Sequence, residues 1–305
     1  MTTLAEPVAG EGQTLIAVEA AALNPVELRV ASGRMPGASV PYVPGLEGVG
    51  SVVESSSFPA GARVRFENHL PGFGRDGSLR ELALADDGDV VGLPNAIGSA
   101  EAAGVGVIGI TAELAYRLAV MEVGARVAVL GATGGVGHLA VQLAAARGAS
   151  EVVAVGRHQP GLEWLETHGA TATVNLSETN DLSAALQEAA GGPLDVVVDP
   201  LWGEPAMGAI EALAEGGRLV TVGNTAGTDV GLPLQAMRKA RSAVLGLSSG
   251  WAPMPEKLDA FNFVLNQMSS GHVELNYALE SLDAIADAWQ RQESFPHVKL
   301  VISLD

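Results

Sequence analysis

Short apolar runs recur along the chain in two rhythms. From Gln13 to about Leu93 the runs TLIAVEAAAL, VPGLEGVGSVV, ARVRFE and LRELALA alternate with clusters of Pro, Gly and Ser, the pattern of a compact β-rich barrel or sandwich. A helical spacing takes over between Ala100 and Val120. After Gly124, the apolar runs at 126–130, 152–155, 171–175, 195–199, 218–223 and 243–248 read as six short strands. Helix-like stretches at 135–149, 160–170, 181–192 and 203–217 separate the first five. Such alternation predicts an α/β class protein with a doubly wound parallel sheet of Rossmann type, helices lying on both faces.

A further helix is expected over 256–268, followed by ESLDAIADAWQRQ and a final apolar run, HVKLVISLD. Because the parallel sheet is complete at six strands, the last run is expected to return to the β-rich unit. The chain thus divides into 1–97 with 272–305, and 98–271. Its 305 residues, 48% of them apolar, are more than one core usually organises.

The first strand of the α/β region runs into the turn GATGGVG at 131–137, and apolar residues at 136, 139, 140, 143 and 144 mark a helix beyond it. Against the dinucleotide template G-x-G-x-x-G, position 132 is Ala while Gly134 and Gly137 fall in register. Gly134 lets the backbone approach a pyrophosphate, Gly137 lets helix pack on strand, and N–H groups at the helix start attract the anion. The candidate cofactor residues are therefore Ala132, Thr133, Gly134, Gly135, Val136 and Gly137. The next strand ends in Gly156, Arg157 and His158, with no acid before Glu163. A carboxylate there would favour NADH by accepting from the ribose hydroxyls; a guanidinium binds a 2′-phosphate through charge-assisted hydrogen bonds. The cofactor expected is NADPH.

Lys and Arg number 17 against 35 Asp and Glu, a net charge of −18, with no basic cluster. Nucleic acid and anionic lipid are disfavoured partners. No leader pattern is evident, and no run approaches the ~20 apolar residues of a membrane span. The chain has no Cys, which removes disulfides, thiolate zinc sites and cysteine nucleophiles and fits a cytoplasmic protein.

The segments AALNPVELRVASG (21–33), VPGLEGVGSVV (43–53), GITAELAY (109–116), VAVLGATGGVGHLAVQLAAARGA (127–149), LDVVVDPLWG (194–203) and EALAEGGRLVTVG (211–223) occur in one order. Together they resemble the medium-chain dehydrogenase/reductase superfamily, and within it the zinc-independent quinone oxidoreductase group. The resemblance implies a GroES-like domain joined to the Rossmann domain. It also implies hydride transfer from NADPH to a quinone or an α,β-unsaturated carbonyl in a cleft between them. Thr111 would lie near the nicotinamide, and Gly223 and Lys299 join the candidate cofactor contacts. The zinc branch has Cys where Asn24 stands and His where Leu46 precedes Glu47; His69, His138, His158, His168, His272 and His297 show no ligand spacing. No metal is expected.

Hydride addition to a conjugated carbonyl needs hydrogen-bond donors for the developing oxyanion rather than a metal. Asn24 is the first candidate, its other reading being a turn residue before Pro25. Tyr42 is a candidate proton or hydrogen-bond donor, or else a buried structural Tyr beside Pro41. Two departures concern the substrate end: Arg34-Met35-Pro36 replaces the aromatic common after the SG of the first segment, and much of the opening strand that usually precedes GQTLIAVEAAALN is lacking; separately, Lys299 lacks its usual preceding Gly, and its expected role is structural or a cofactor contact. Short-chain reductases are excluded, because Tyr42, Tyr116 and Tyr277 are followed four residues on by Leu46, Val120 and Ser281 rather than Lys. An enoyl-thioester reductase and a non-catalytic NADPH-binding redox sensor are the alternatives; the acidic balance counts against an acyl carrier docking surface for the former. The strand near 242–250 falls at a sheet edge that relatives pair across a twofold axis, so a homodimer is expected.

Overall fold

The computed structural model describes residues 4–304. In chain order the elements are β1 (Gln13–Ala22), α1 (Pro25–Ala31), β2 (Glu47–Glu54), β3 (Arg63–Glu67), β4 (Leu82–Asp86), β5 (Val90–Gly92) and α2 (Ser99–Ala119). There follow β6 (Arg126–Val129), α3 (Gly135–Ala146), β7 (Glu151–Gly156), α4 (Gln159–Glu166), β8 (Ala172–Asn175), α5 (Leu182–Ala189), β9 (Leu194–Asp199), α6 (Gly203–Glu211), β10 (Leu213–Thr221), α7 (Leu234–Ala240), β11 (Ala243–Gly246) and α8 (Met254–Ser269). The chain ends with β12 (Tyr277–Ser281), α9 (Ile285–Glu293) and β13 (Lys299–Ser303). Asp305, last residue of the expected final run, lies outside the described residues.

Contacts divide the chain into two units. One comprises the stretch up to Val107 together with everything from Leu275 onward; the other is Ile108–Glu274. The first boundary falls inside α2 rather than near 97, because this helix contributes its first two turns to one unit and the rest to the other.

The first unit is a seven-stranded sheet in the order β12-β13-β1-β2-β3-β5, with β4 also on β1. β13 lies antiparallel to β1, pairing Ala21 with Ile302, so the end of the chain does return to its beginning. Ile16, Val52, Val64, Phe66 and Ala83 fill its core, while Leu23, Leu300, Ile302 and Ala288 form a smaller cluster under α9. The unit is GroES-like. Helix α1 was not expected from periodicity. Its seven residues form because Pro25 suits the first helical position and Glu27, two residues further, reaches back to the Asn24 N–H.

The second unit carries the parallel sheet in the order β11-β10-β9-β6-β7-β8, the Rossmann arrangement. Its strands are covered on both faces, so Ala128, Val153, Val155, Val197 and Leu219 are fully buried, which is why they read as unbroken apolar runs. One expected helix is shorter than the sequence implied. α6 stops at Glu211, and 213–217 is extended, with Leu213 paired to Leu194 before the ladder shifts to Arg218 and Val196. Gly216, in the left-handed region, lies within the shifted stretch between Leu213 and Arg218.

Contrary to the expectation from continuous apolar runs, α2 has the length and mean hydropathy (1.3) to cross a membrane. Thr111 and Glu113 interrupt its apolar sequence. In the fold, 83% of that window is buried inside the protein, as in the core helix of a globular unit.

Candidate nucleotide site and a buried polar network

The turn after β6 forms because α3 starts directly against the strand that feeds it. A methyl on Gly137 would lie 2.7 Å from Ala132 Cα and closer still to the Gly131 carbonyl oxygen, so no side chain fits. The left-handed residue is Gly131, at φ +57°, which leaves position 132 in ordinary backbone and explains why Ala suffices there. Ala132 is fully buried, and its N–H donates to Val155 O at 2.9 Å. Gly134 is the residue before α3 and is exposed; Gly135 and Val136 are partly exposed. No side chain caps α3 and no acid stands in its first turn, whereas α4 and α5 are capped by His158 and Asp181. The first-turn N–H groups of α3 are thus left for an external anion.

Thr133 fills the slot between the end of β7 and the start of α4. Cβ atoms at Gly156 and Gly161 would stand 3.3 and 2.8 Å from its methyl. His158 accepts from the Gly161 N–H through Nδ1, which sets the start of α4, and Arg157 is left exposed at the end of β7. The turn residues, Gly156 and Arg157 therefore share the C-terminal edge of the sheet, where open α/β sheets bind ligands. Gly223 lies on the same edge after β10, a Cβ there meeting Pro200 O at 2.6 Å. A cavity of about 420 Å³ opens at the opposite end, beside Ala125, Asp195 and Arg218. It lies at the N-terminal ends of β6 and β9, not where a dinucleotide rests on this fold.

Asp199, at the end of β9, was not singled out by its sequence context. It is fully buried; Oδ1 accepts from Leu201 N and Trp202 N at 2.8 and 2.9 Å, while Oδ2 has no partner among the described residues. Burial pushes its carboxyl up to about 6, against the opposing pull of those two N–H groups.

Thr111 is 6% exposed and its Oγ1 lies 2.7 Å from Ser249 Oγ. Both belong to the second unit. Ser249 carried no signal in the sequence.

The other predicted residues, Asn24, Tyr42 and Lys299, belong to the first unit. Lys299 Nζ donates to Leu23 O at 3.0 Å and Asn24 Oδ1 at 2.5 Å and lies 3.8 Å from Glu47 Oε1. Its ammonium is thereby committed to this interior. Because Asn24 Oδ1 faces an ammonium, Nδ2 must be its donor end, and that group already serves Glu47 Oε1 at 3.2 Å and Ala22 O at 3.4 Å. Asn24 thus spends both amide hydrogens inside the protein, and in this geometry neither is turned to a substrate oxyanion.

Glu47 also accepts from Arg65 Nη2 at 3.0 Å and Val107 N at 2.6 Å. Glu27 accepts from Asn24 N and Leu46 N, each at 2.6 Å, yet burial pushes its carboxyl up to about 7, with Lys299 opposing. Burial likewise holds Lys299 below the usual lysine range, against the pull of Glu47 and Glu27. Tyr42 is half-buried; its hydroxyl is shielded without a partner among the described residues, beside a cavity of about 10 Å³ shared with Glu27 and Leu46, room for about one water. Burial thus opposes the charged form of Glu27 and of Lys299 alike. Among the described residues no three His, Cys, Asp or Glu side chains gather as metal ligands.

Residues 10–95 match the alcohol dehydrogenase GroES-like domain family and residues 135–266 the zinc-binding dehydrogenase family. The quinone oxidoreductase of Sus scrofa is 31% identical over 246 residues, covering 78% of this chain and 72% of that protein. That of Homo sapiens is 30% identical over 254 residues, covering 80% and 74%. Among solved structures, the quinone oxidoreductase from Thermus thermophilus, determined also in complex with NADPH, is 26% identical with a TM-score of 0.82, covering 99% of this chain and 95% of that one. A sheet that presents a bare helix start for a nucleotide, in one chain with a GroES-like unit, defines a two-domain oxidoreductase. The chain belongs to the medium-chain dehydrogenase/reductase superfamily, in its quinone oxidoreductase-like group.

Two outcomes follow from this geometry. Gly137→Ala is expected to lower stability by about 1–3 kcal/mol as α3 is forced off β6, while Gly134→Ala, whose Cβ meets only Gly131 O at 3.3 Å, is milder; equal losses in denaturant melts would refute the close-approach account. For Asp199 the folded carboxyl is raised from 3.8 to about 6, so the folded state binds the extra proton and stability falls as pH climbs through that window. Asp199→Asn keeps the acceptor oxygen without the charge. It should therefore melt higher than the unsubstituted protein at pH 8, by on the order of 1–3 kcal/mol, with the gap shrinking toward pH 4.

Proposed function

We propose that this protein reduces a quinone or an α,β-unsaturated carbonyl with NADPH, without zinc. The observation that carries the reading is the uncapped start of α3, pressed against β6 at Gly137, with Arg157 exposed one strand away. In this reading the N–H groups of Gly135 and Val136 bind the pyrophosphate and Arg157 binds the 2′-phosphate. Bound nicotinamide supplies the hydride, which with one proton completes the two-electron reduction of the acceptor as NADPH becomes NADP⁺. Zinc independence is supported by Asn24 and Leu46, which stand where the zinc branch has Cys and His. The cysteine-free composition supports a cytoplasmic setting, with small molecules rather than membrane or nucleic acid as partners.

The engagement of both Asn24 amide hydrogens favours a second reading, an NADPH-binding redox sensor without turnover. Stopped-flow mixing of the NADPH-loaded protein with quinones and enones separates the two: loss of nicotinamide absorbance supports the enzyme, tight binding without oxidation the sensor. We also propose a homodimer. β11 has a strand neighbour on one side only among the described residues, and Trp251, just beyond it, is 86% exposed.

Arg157→Glu is expected to weaken NADPH relative to NADH by about ten- to a hundredfold, the worth of a lost charge-assisted contact; an unchanged ratio in calorimetric titrations would remove the 2′-phosphate assignment. Light scattering should give twice the chain mass of 31.1 kDa; a monomer at micromolar concentration would end the dimer proposal.

A further inference from the structure

Groups that add to electrophiles are scarce along this chain and scarcer on its surface. There is no Cys, and the 17 basic side chains are 14 Arg and only three Lys, at 239, 257 and 299. A thiolate or an uncharged amine adds to an electron-poor carbon, whereas a guanidinium stays protonated and holds no free pair for the task. The fold then withdraws two of the three amines. Lys257 and Lys299 are 2% and 4% exposed, and the Lys299 ammonium is spent on Leu23 O and Asn24 Oδ1 beside Glu47. Imidazoles are drawn into local contacts: His69 Nε2 lies 3.0 Å from Asp89 Oδ1, His158 Nδ1 accepts from Gly161 N, and His168 stacks on Trp164. Lys239, on α7, is exposed and has no hydrogen-bond or ion-pair partner among the described residues. It is the one ε-amine left open to solvent.

Such a surface matters most to an enzyme whose acceptor is itself an alkylating agent. A quinone or enone with an unsubstituted alkene carbon, conjugated to its carbonyl, takes up a thiolate or free amine at that carbon in competition with hydride. An enzyme that draws such a reagent in at every turnover accumulates the damage on its own nucleophiles. We propose that the acceptors of this protein are alkylating electrophiles, quinones and enones with an unsubstituted alkene carbon, and that Lys239 is the one side chain open to adduct formation by them. The inference rests on the reduction proposed above and narrows its acceptor class. With a quinone, the uncharged amine of Lys239 adds to the open ring carbon: the N–C bond forms, the C=C π bond breaks and nitrogen loses a proton. The hydrogen of that ring carbon leaves as a proton, both oxygens end protonated, and the product is an amino-substituted hydroquinone. No further oxidant or reductant is required.

The test first exposes the full chain, without NADPH, to p-benzoquinone and separately to a simple enone, and reads adducts by intact mass and peptide mapping. The α-amino group, which every chain carries, is scored apart from the side chains. At most one side-chain adduct is expected, at Lys239, and Lys239→Arg should take up none. Ser56→Cys, which sets a thiol on an exposed turn after β2, should gain its adduct roughly tenfold or more faster than Lys239, as thiols outpace lysine amines near neutral pH. NADPH oxidation is then measured relative to the uncatalysed reaction with the same acceptor. That acceleration should be roughly tenfold or more greater for p-benzoquinone and the enone than for tetramethyl-p-benzoquinone, which has no open carbon. Adducts on other side chains, a Ser56→Cys variant no more reactive than its parent, or equal acceleration with the tetramethyl quinone would overturn this inference and leave the reduction standing. NADPH oxidation that no acceptor accelerates would instead overturn the proposed reduction, and this inference with it.

Discussion

The approach of α3 to the end of β6 is the constraint on which the nucleotide end of this protein depends. A helix that begins in contact with the strand feeding it can carry no side chain at Gly137, and its turn must reverse within a few residues through left-handed Gly131. Once those positions are met, the remaining features follow by packing. Thr133 has one slot, between Gly156 and Gly161, and by filling it fixes where α4 starts relative to β7. The helix start is left bare because the capping side chains that serve α4 and α5 are absent here. Packing, rather than any charged side chain, leaves those N–H groups bare, which is how a protein of net charge −18 can turn a locally positive helix end outward.

The first unit solves a different problem. Glu27, Glu47, Arg65 and Lys299 are all buried, and ionised groups removed from water are tolerated only when their hydrogen bonds are met. Asn24 makes that possible by accepting from the ammonium and donating to a carboxylate at once. Where the zinc branch of the superfamily has a thiolate, this chain has an amide facing a lysine. The local charge balance is thus maintained by a side chain from the last strand. Asn24 therefore joins positions 23, 27, 47 and 299 into one cluster rather than standing apart as a donor.

Much of this was legible in the linear pattern. Strands buried on both faces read as continuous apolar runs, so the six parallel strands emerged from hydrophobicity, and the turn from the spacing of Gly134 and Gly137. The place of Arg157 at the end of a strand was legible because an unbroken apolar run leads directly into it. Short helix α1 was missed, though Asn24-Pro-Val-Glu27 carries the signature of a capped helix start. The extended stretch before Arg218 was missed because Ala, Leu and Glu favour helix locally and only pairing with Leu194 overrides them. The pairings of Asn24 with Lys299 and of Thr111 with Ser249 span most of the chain or nearly half of it, and no local pattern encodes them. Asp199 escaped notice for a related reason: its raised acidity comes from its surroundings.

The antiparallel ladder between β1 and β13 also sets an order of events during synthesis. β1 leaves the ribosome before Ile108–Glu274 and its neighbour β13 after it. The contacts of Ile108–Glu274 are made mostly within one continuous span, so they can form while the nascent chain is still growing. The GroES-like unit cannot. Until Lys299 emerges, Glu27 and Glu47 have no ammonium to face and part of one edge of β1 stands open, so the strands before α2 wait for β13 to close that edge.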